Sequence, residues 1–502
     1  MILLYNTTMN PETLNKAISE IPIEVSRVTA LLKNAGFSAY LVGGCVRDIF
    51  LNTPPKDWDI TTNATPQQIQ EIFPDSVYEN TFGTVGVKTR SDDNTVSIIE
   101  ITPYRKESTY SDNRHPDTIE FSTTIHEDLE RRDFTINALA LDIETGEIVD
   151  NYNGQKDIKD KVIRTVGNPD ERFSEDALRL MRAIRFSAQL GFDIEKNTKI
   201  SIQKNISLLK NISIERIRDE FTKMIDSKDP ERALEVSRET GLLQEILPEL
   251  LDMVAIEQGG AHKYDVWTHL LKSLAYAEKK DYPLHVKLAA LLHDIGKPKT
   301  RREGNKKAWT FYGHEVVGAR MTEKILKRLK FSRETTEKVV KLVRWHMFFS
   351  DTEEISHTAI RRMIRNVGKD MIWDLMNLRV CDRMGMGRPK EDPYRLRKYH
   401  SMIEEVMSDP VSVGMLKING DILLKEFHMK PGPKIGHILH ALLEEVIVDP
   451  EKNNLEYLSK RAQELDSLPE EELREKGKQG KKTQEEKEQE KIKEIRKKHW
   501  VK

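Results

Sequence analysis

Apolar positions change their period twice along this chain. Between Ile23 and Phe37 they recur at helical spacing, with Gly36 near the end, which predicts an amphipathic helix. The run Ala39 to Val42 is apolar without interruption and predicts a short buried strand. Gly43 and Gly44 follow, and Cys45 to Leu51 returns to the helical period. Thr65 as N-cap and Pro66 at the first helical position predict another helix to about Phe73. Gly83 to Thr89 and Val96 to Thr102 are β-rich, and the polar turn Ser91-Asp92-Asp93-Asn94 makes them neighbouring strands. Arg105 to Phe121 is polar and reads as a long loop. From about Val166 the β signal disappears. Glu175 to Phe186, Ile214 to Ile225, Glu231 to Leu247 and His437 to Val448 all read as helical, with Pro230 and Gly241 as punctuation. Pro469 to Lys502 is Glu, Lys, Gln and Arg almost without apolar residues before Trp500, and is expected to be disordered or a solitary charged helix. The order predicts an α+β chain: a mixed-sheet head over 20–165, a helical neck and body over 166–254, a further module over 255–390, a helical tail over 391–468 and the charged end 469–502.

Composition changes this picture little. The 502 residues allow about three domains. Hydrophobic residues make up 38% and charged residues 32%, which suits a helix-rich soluble chain. The net charge of −2 carries no sign of nucleic acid, so an RNA site must be a local basic patch. Two distant cysteines, Cys45 and Cys381, argue against a disulfide framework and predict a cytoplasmic protein. No signal peptide is expected at Met1 to Tyr5, and no apolar run approaches the ~18 residues of a membrane span.

The candidate chemistry begins at Gly43-Gly44. A backbone without Cβ approaches a phosphate closely, and the amides of the following helix point at the same turn. Arg47 adds a fixed positive charge. Asp57 and Asp59, at i and i+2 on a strand, would face one side and repel unless a divalent cation lies between them, and hard oxygen ligands suit Mg²⁺. A phosphate-cradling turn followed by Asp-x-Asp therefore reads as metal-assisted nucleotidyl transfer. Glu100 is either a third carboxylate for the same metal or an ordinary half-exposed strand residue.

Further along, Asp176, Arg179, Arg182 and Arg185 are spaced by three and form one polar stripe, either a solvated face or excess positive charge that seeks anions. The chain has 14 histidines. Of these, His269, His293, His314 and His346 recur at helix-like positions, with Asp294 beside His293 and Asp382 further on. Imidazole and carboxylate ligands are what a transition-metal hydrolytic centre needs.

The wording GGCVRD…DWDI, followed by Arg131-Arg132-Asp133, resembles the nucleotidyltransferase superfamily that includes polymerase beta, and within it the class II tRNA nucleotidyltransferases and bacterial poly(A) polymerases. That resemblance covers roughly residues 20 to 465. It implies that Asp57 and Asp59 are catalytic and hold Mg²⁺, and that Gly44, Arg47 and Arg132 bind the nucleotide. It implies that Asp176 and Arg179 read the base, accepting CTP and ATP and rejecting UTP and GTP, with Glu175 holding Arg179. Arg182 and Arg185 would serve the triphosphate and primer end. The module from about Ala255 resembles the HD phosphohydrolase domain. His269, His293, Asp294 and Asp382 match its metal pattern, and His314 and His346 match members with a second metal. Lys430 and Lys434 would meet tRNA backbone phosphates. The implied function is addition of CCA to the 3′ end of tRNA, with terminal-A-only addition or poly(A) synthesis as alternatives. The Arg105 to Phe121 loop is full length, which disfavours a CC-only enzyme. A different class, an HD phosphohydrolase whose head merely binds RNA, is the outer alternative.

Overall fold

The computed structural model describes residues 10–78, 83–107, 119–258, 263–304, 309–348, 356–408 and 412–501. It divides into two units, one formed by residues 1–346 and 377–388 and the other by 347–376 and 389–502. The segment 347–376, inside the module expected over 255–390, thus groups with the C-terminal residues.

The first unit opens on a seven-stranded mixed sheet in the spatial order Ser76–Tyr78, Val85–Lys88, Ile98–Pro103, Asp59–Thr62, Ala39–Val42, Ala140–Leu141, Ile148–Val149. Ala39–Val42 pairs antiparallel with Asp59–Thr62 and with Ala140–Leu141. Covered on both faces, this central strand can be apolar throughout, and Leu41, Val42, Ile60 and Ile101 are all buried. Asp59–Thr62 runs parallel to Ile98–Pro103, which puts Asp59 opposite Glu100. The Thr65 cap is a full capping box with Gln68, and its helix runs Pro66–Ile72.

Several expectations need correction. Asp57 is not on the strand, which begins at Asp59, and the buried Trp58 separates the exposed Asp57 from it. The polar loop from Arg105 is paired at its ends: Arg105–Glu107 and Ile119–Phe121 form an antiparallel pair with Arg105 opposite Phe121, while 108–118 lie outside the described residues. The helix expected over Glu175 to Phe186 is two helices, Pro169–Glu175 and Leu178–Leu190. Between them Asp176 is extended and its side chain accepts the Leu178 amide at 3.0 Å, the local bond by which Asp competes with helix continuation. The punctuation expected at Gly241 is present: its φ of 84° ends the helix Pro230–Glu239 before Leu242–Ile246.

In the second unit the charged end is neither disordered nor solitary. Glu470–Lys498 is one helix packed along Pro433–Val448. Leu473 and Ile495 are buried, and Leu473 joins the core of Leu416, Ile418, Leu442 and Leu458. The reading from composition overlooked two glycines. Gly477 and Gly480 allow backbone contact, because a Cβ on Gly480 would lie 2.1 Å from the His440 carbonyl oxygen. The sign of one substitution tests this. Gly→Ala stabilises a lone helix by about 1 kcal/mol. At a close contact the extra methyl costs about 1–3 kcal/mol. Gly480→Ala is therefore expected to lower the melting temperature and expose residues 470–498 to protease; a rise in both stability and protease resistance would overturn the packing. Lys434, expected to meet RNA phosphate, instead pairs with Asp466 at 2.7 Å.

Candidate active site and metal centre

Gly43 makes the turn after Ala39–Val42 with φ 80° and ψ −131°, a backbone conformation open to glycine. The helix Gly44–Phe50 starts directly behind it. A Cβ on Gly43 would lie 3.0 Å from Arg132 Nη1 and 3.7 Å from Asp59 Oδ2, so turn, arginine and carboxylate meet at one point. Arg132 is oriented from behind by Asp128, which is fully buried and also paired with Arg131. Burial, then the charges of Asp57 and Glu100, push the Asp59 carboxyl up to about 7 against the pull of Arg132. Crowding of this kind is what a divalent cation relieves. The donor set is oxygen only, so the residues present fit a hard metal ion. Glu100 lies opposite Asp59 across the parallel pair, and its charge reaches the Asp59 carboxyl.

The arginine stripe is less available than its spacing suggests. Arg179 bonds Glu175, and its guanidinium also donates to the Arg131 carbonyl at 3.1 Å, tying the neck helix to the Arg131-Arg132 segment. Arg182 Nε donates to Asp133 Oδ2 at 2.7 Å. Burial alone would raise the Asp133 carboxyl, but Arg182 and then Arg179 outweigh it and hold it down to about 2. Arg185 is buried and paired with Glu220. The excess charge inferred from the stripe is thus met by acids distant in sequence, and Arg185, expected at the triphosphate or primer end, is committed to the neck interior. Asp176 Oδ2 accepts from Arg216 at 2.8 Å. Sequence reasoning did not single out Asp128, Asp133, Arg216 or Glu220. Asp133 at least stands in the Arg131-Arg132-Asp133 wording, whereas Arg216 and Glu220 lie some 35–40 residues from their partners and carry no local signal.

The histidines also converge. His269 is on the helix Val266–Lys279, which Asp265 caps through the Thr268 amide at 3.0 Å. His293 and Asp294 follow the helix Leu284–Leu292, His314 opens His314–Arg328, His346 follows Arg333–Trp345 and Asp382 is on Ile372–Gly385. All six side chains are buried. His269 Nε2 is 3.0 Å from His293 Nε2 and 3.4 Å from Asp382 Oδ1, and His314 Nε2 is 3.2 Å from both His346 Nε2 and Asp294 Oδ1. The Nδ1 atoms of His293, His314 and His346 sit 3.0, 2.8 and 2.7 Å from backbone carbonyls, as donors to them, which turns each Nε2 lone pair inward. Burial and the neighbouring His293 push the His346 imidazole down to about 3, so it is neutral and competent as a ligand. Two triplets, His269–His293–Asp382 and His293–Asp294–His346, each bring ligand atoms within 4.8 Å of one another. The structure adds Lys297, buried with Nζ 2.5 Å from Asp294 Oδ2. It also explains Gly296, where a Cβ would lie 2.3 Å from the His314 carbonyl oxygen.

Three family profiles match the chain: "Poly A polymerase head domain" over residues 39–164, "Probable RNA and SrmB- binding site of polymerase A" over 191–253 and "HD domain" over 266–385. The CCA-adding enzyme of Ligilactobacillus salivarius is 34% identical over 459 residues, covering 89% of this chain and 98% of that protein. The chain belongs to the CCA-adding enzymes. The family is one of nucleotidyltransferases. Its member from Geobacillus sp. strain WCH70 is 46% identical over 222 residues, 44% of this chain and 53% of that protein. The crystal structure of the Bacillus stearothermophilus CCA-adding enzyme in complex with CTP is similar with a TM-score of 0.58 and 25% identity, over 91% of this chain and 99% of that one. A tRNA nucleotidyltransferase complexed with a primer tRNA and an incoming ATP analogue shares the fold at a TM-score of 0.52 and 20% identity, over 76% of this chain and 99% of that one. Among the described residues, no helix is long and apolar enough to cross a membrane.

Proposed function

We propose that this protein adds CMP and AMP to the 3′ end of tRNA from CTP and ATP. The observation that carries the reading is the meeting of Gly43, Arg132 and Asp59 beside Asp57 and Glu100, with Arg179 tying the neck helix to the same segment. In the reaction the RNA 3′-hydroxyl oxygen bonds to the α-phosphorus, the bond to the bridging oxygen breaks, and pyrophosphate leaves. Asp57 and Asp59 hold Mg²⁺, which when bound supplies the positive charge that favours the ionised hydroxyl and neutralises the triphosphate. Gly44, Arg47 and Arg132 bind the nucleotide. Asp176 accepts from the exocyclic amine that cytosine and adenine share, and Arg179, held by Glu175, donates to ring acceptors. The two cysteines, both free and buried, accord with work in a reducing cytoplasm. The test is a tRNA ending before CCA, offered CTP alone, ATP alone and both. Incorporation of C from CTP alone and of CCA from the mixture is expected; ATP-only addition or a growing A tract would overturn the reading.

The histidine module supports a second activity of the same chain. The Nε2 atoms turned inward by these backbone bonds, beside two buried carboxylates, are a donor set for a divalent transition metal, and hydrolysis of a phosphoester is the chemistry it serves. His269, His293, Asp294 and Asp382 hold the first metal, and His314 and His346 a second.

A further inference from the structure

Arg47, on the helix behind the glycine turn, and Arg182, on the neck helix, belong to different elements of the first unit, yet they are joined by one unbroken polar chain. Arg47 Nη1 donates to Asn137 Oδ1 at 2.8 Å, Asn137 Nδ2 donates to Asp133 Oδ1 at 3.3 Å, and Asp133 Oδ2 accepts from Arg182 Nε at 2.7 Å. A guanidinium only donates and an ionised carboxylate only accepts. The link between them must therefore accept on one side and donate on the other, which a carboxamide does and neither Asp nor Leu does. Asn137 is buried in the short 3₁₀ turn Thr135–Asn137, and Asp133 is kept ionised, so the orientation of the amide is set by both partners. Phe186 lies inside this circuit. Its ring is 5.5 Å from Arg47 Cζ, 5.3 Å from Arg182 Cζ and 4.2 Å from Arg185 Cζ, and it meets Phe134 edge-on at 5.7 Å. Three guanidiniums around one ring repel each other. Asp48, Asp133 and Glu220 neutralise them one by one, and the π face offers each a further attraction.

We propose that Asn137 is a positioning residue for nucleotidyl transfer. By matching a donor-only to an acceptor-only group, it fixes the triphosphate-binding Arg47 to the helix that reads the base, with Phe186 as the plate between them. The inference rests on the proposed function and adds to it the coupling of phosphate grip to base selection. If that coupling is lost, CTP and ATP bind in altered register. Discrimination against UTP then weakens, which a merely structural role would not cause.

The experiment is steady-state CTP, ATP and UTP incorporation on tRNA lacking CCA by the full chain. Asn137→Asp keeps the acceptor for Arg47 but sets a carboxylate against Asp133. It is expected to lower kcat/KM for CTP by about 100-fold, the scale of an ångström-level misplacement, and to raise the UTP:CTP ratio at least tenfold. An Asn137→Asp enzyme within twofold of wild type on both readouts overturns the proposal. Phe186→Leu, which leaves every hydrogen bond in the chain intact, is a second arm should Asn137→Asp melt early. A raised UTP:CTP ratio is expected there, and an unchanged ratio also overturns it. Wild-type protein that adds no C at all refutes the proposed function instead, so the two failures are distinguishable.

Discussion

Asp59→Ala is expected to abolish nucleotide addition, with a loss of at least about a thousandfold, the scale seen when a preorganised transition-state stabiliser is removed. Asp59 is the carboxylate that meets the glycine turn where Arg132 does, and the charges of Asp57 and Glu100 already crowd it. The same crowding means that the substitution should not unfold the protein. With the folded carboxyl pushed up to about 7 from the usual 3.8, the folded state holds a proton that the unfolded state releases. The stability of the metal-free wild type therefore falls as pH rises from about 3.8 through about 7. The alanine variant lacks this loss. In chelator it should melt no lower than wild type at pH 8, while incorporating no CMP when Mg²⁺ is restored. Retained extension by Asp59→Ala would show that the metal carboxylates have been misassigned. Hydrolysis at the histidine module should be untouched.

His293→Ala is expected to do the reverse. His293 belongs to both ligand triplets, so its removal damages both halves of the centre. Loss of a supporting hydrogen bond alone costs about 10–100-fold in metal affinity, and loss of a ligand at least as much. Metal-dependent phosphoester hydrolysis should disappear, and metal content after dialysis should fall below that of wild type, while CTP incorporation stays within a few fold. Loss of CMP addition along with hydrolysis would mean that the two activities are not separate. Equal metal content in variant and wild type would place the ion elsewhere.

The local sequence was sufficient for elements whose signal is short in range. The strand Ala39–Val42, the capped helix from Pro66 and the helix Ile214–Ile225 follow directly from apolar period and capping chemistry. The histidines that converge in the fold were legible for the same reason, because a histidine beside an apolar helix end is a local pattern. What failed was partnership. The stripe of Arg179, Arg182 and Arg185 looked like charge in want of anions because Asp133 and Glu220 are 49 and 35 residues away from Arg182 and Arg185. The charged end looked unable to pack because composition does not register two glycines that let one backbone rest on another.

Sequence by itself determined which groups exist: a glycine turn, closely spaced acids, an arginine-bearing neck and a set of histidines, each specified by residue type within a few positions. Tertiary structure alone decided which of them meet. Only the parallel pairing of two strands sets Glu100 opposite Asp59, and only the packing of the neck helix gives Arg182 to Asp133, which Asn137 in turn links to Arg47. The physical reason is that a side chain's charge and hydrogen-bonding capacity are intrinsic, whereas its partner is chosen by burial, which acts across the fold and ignores distance along the chain.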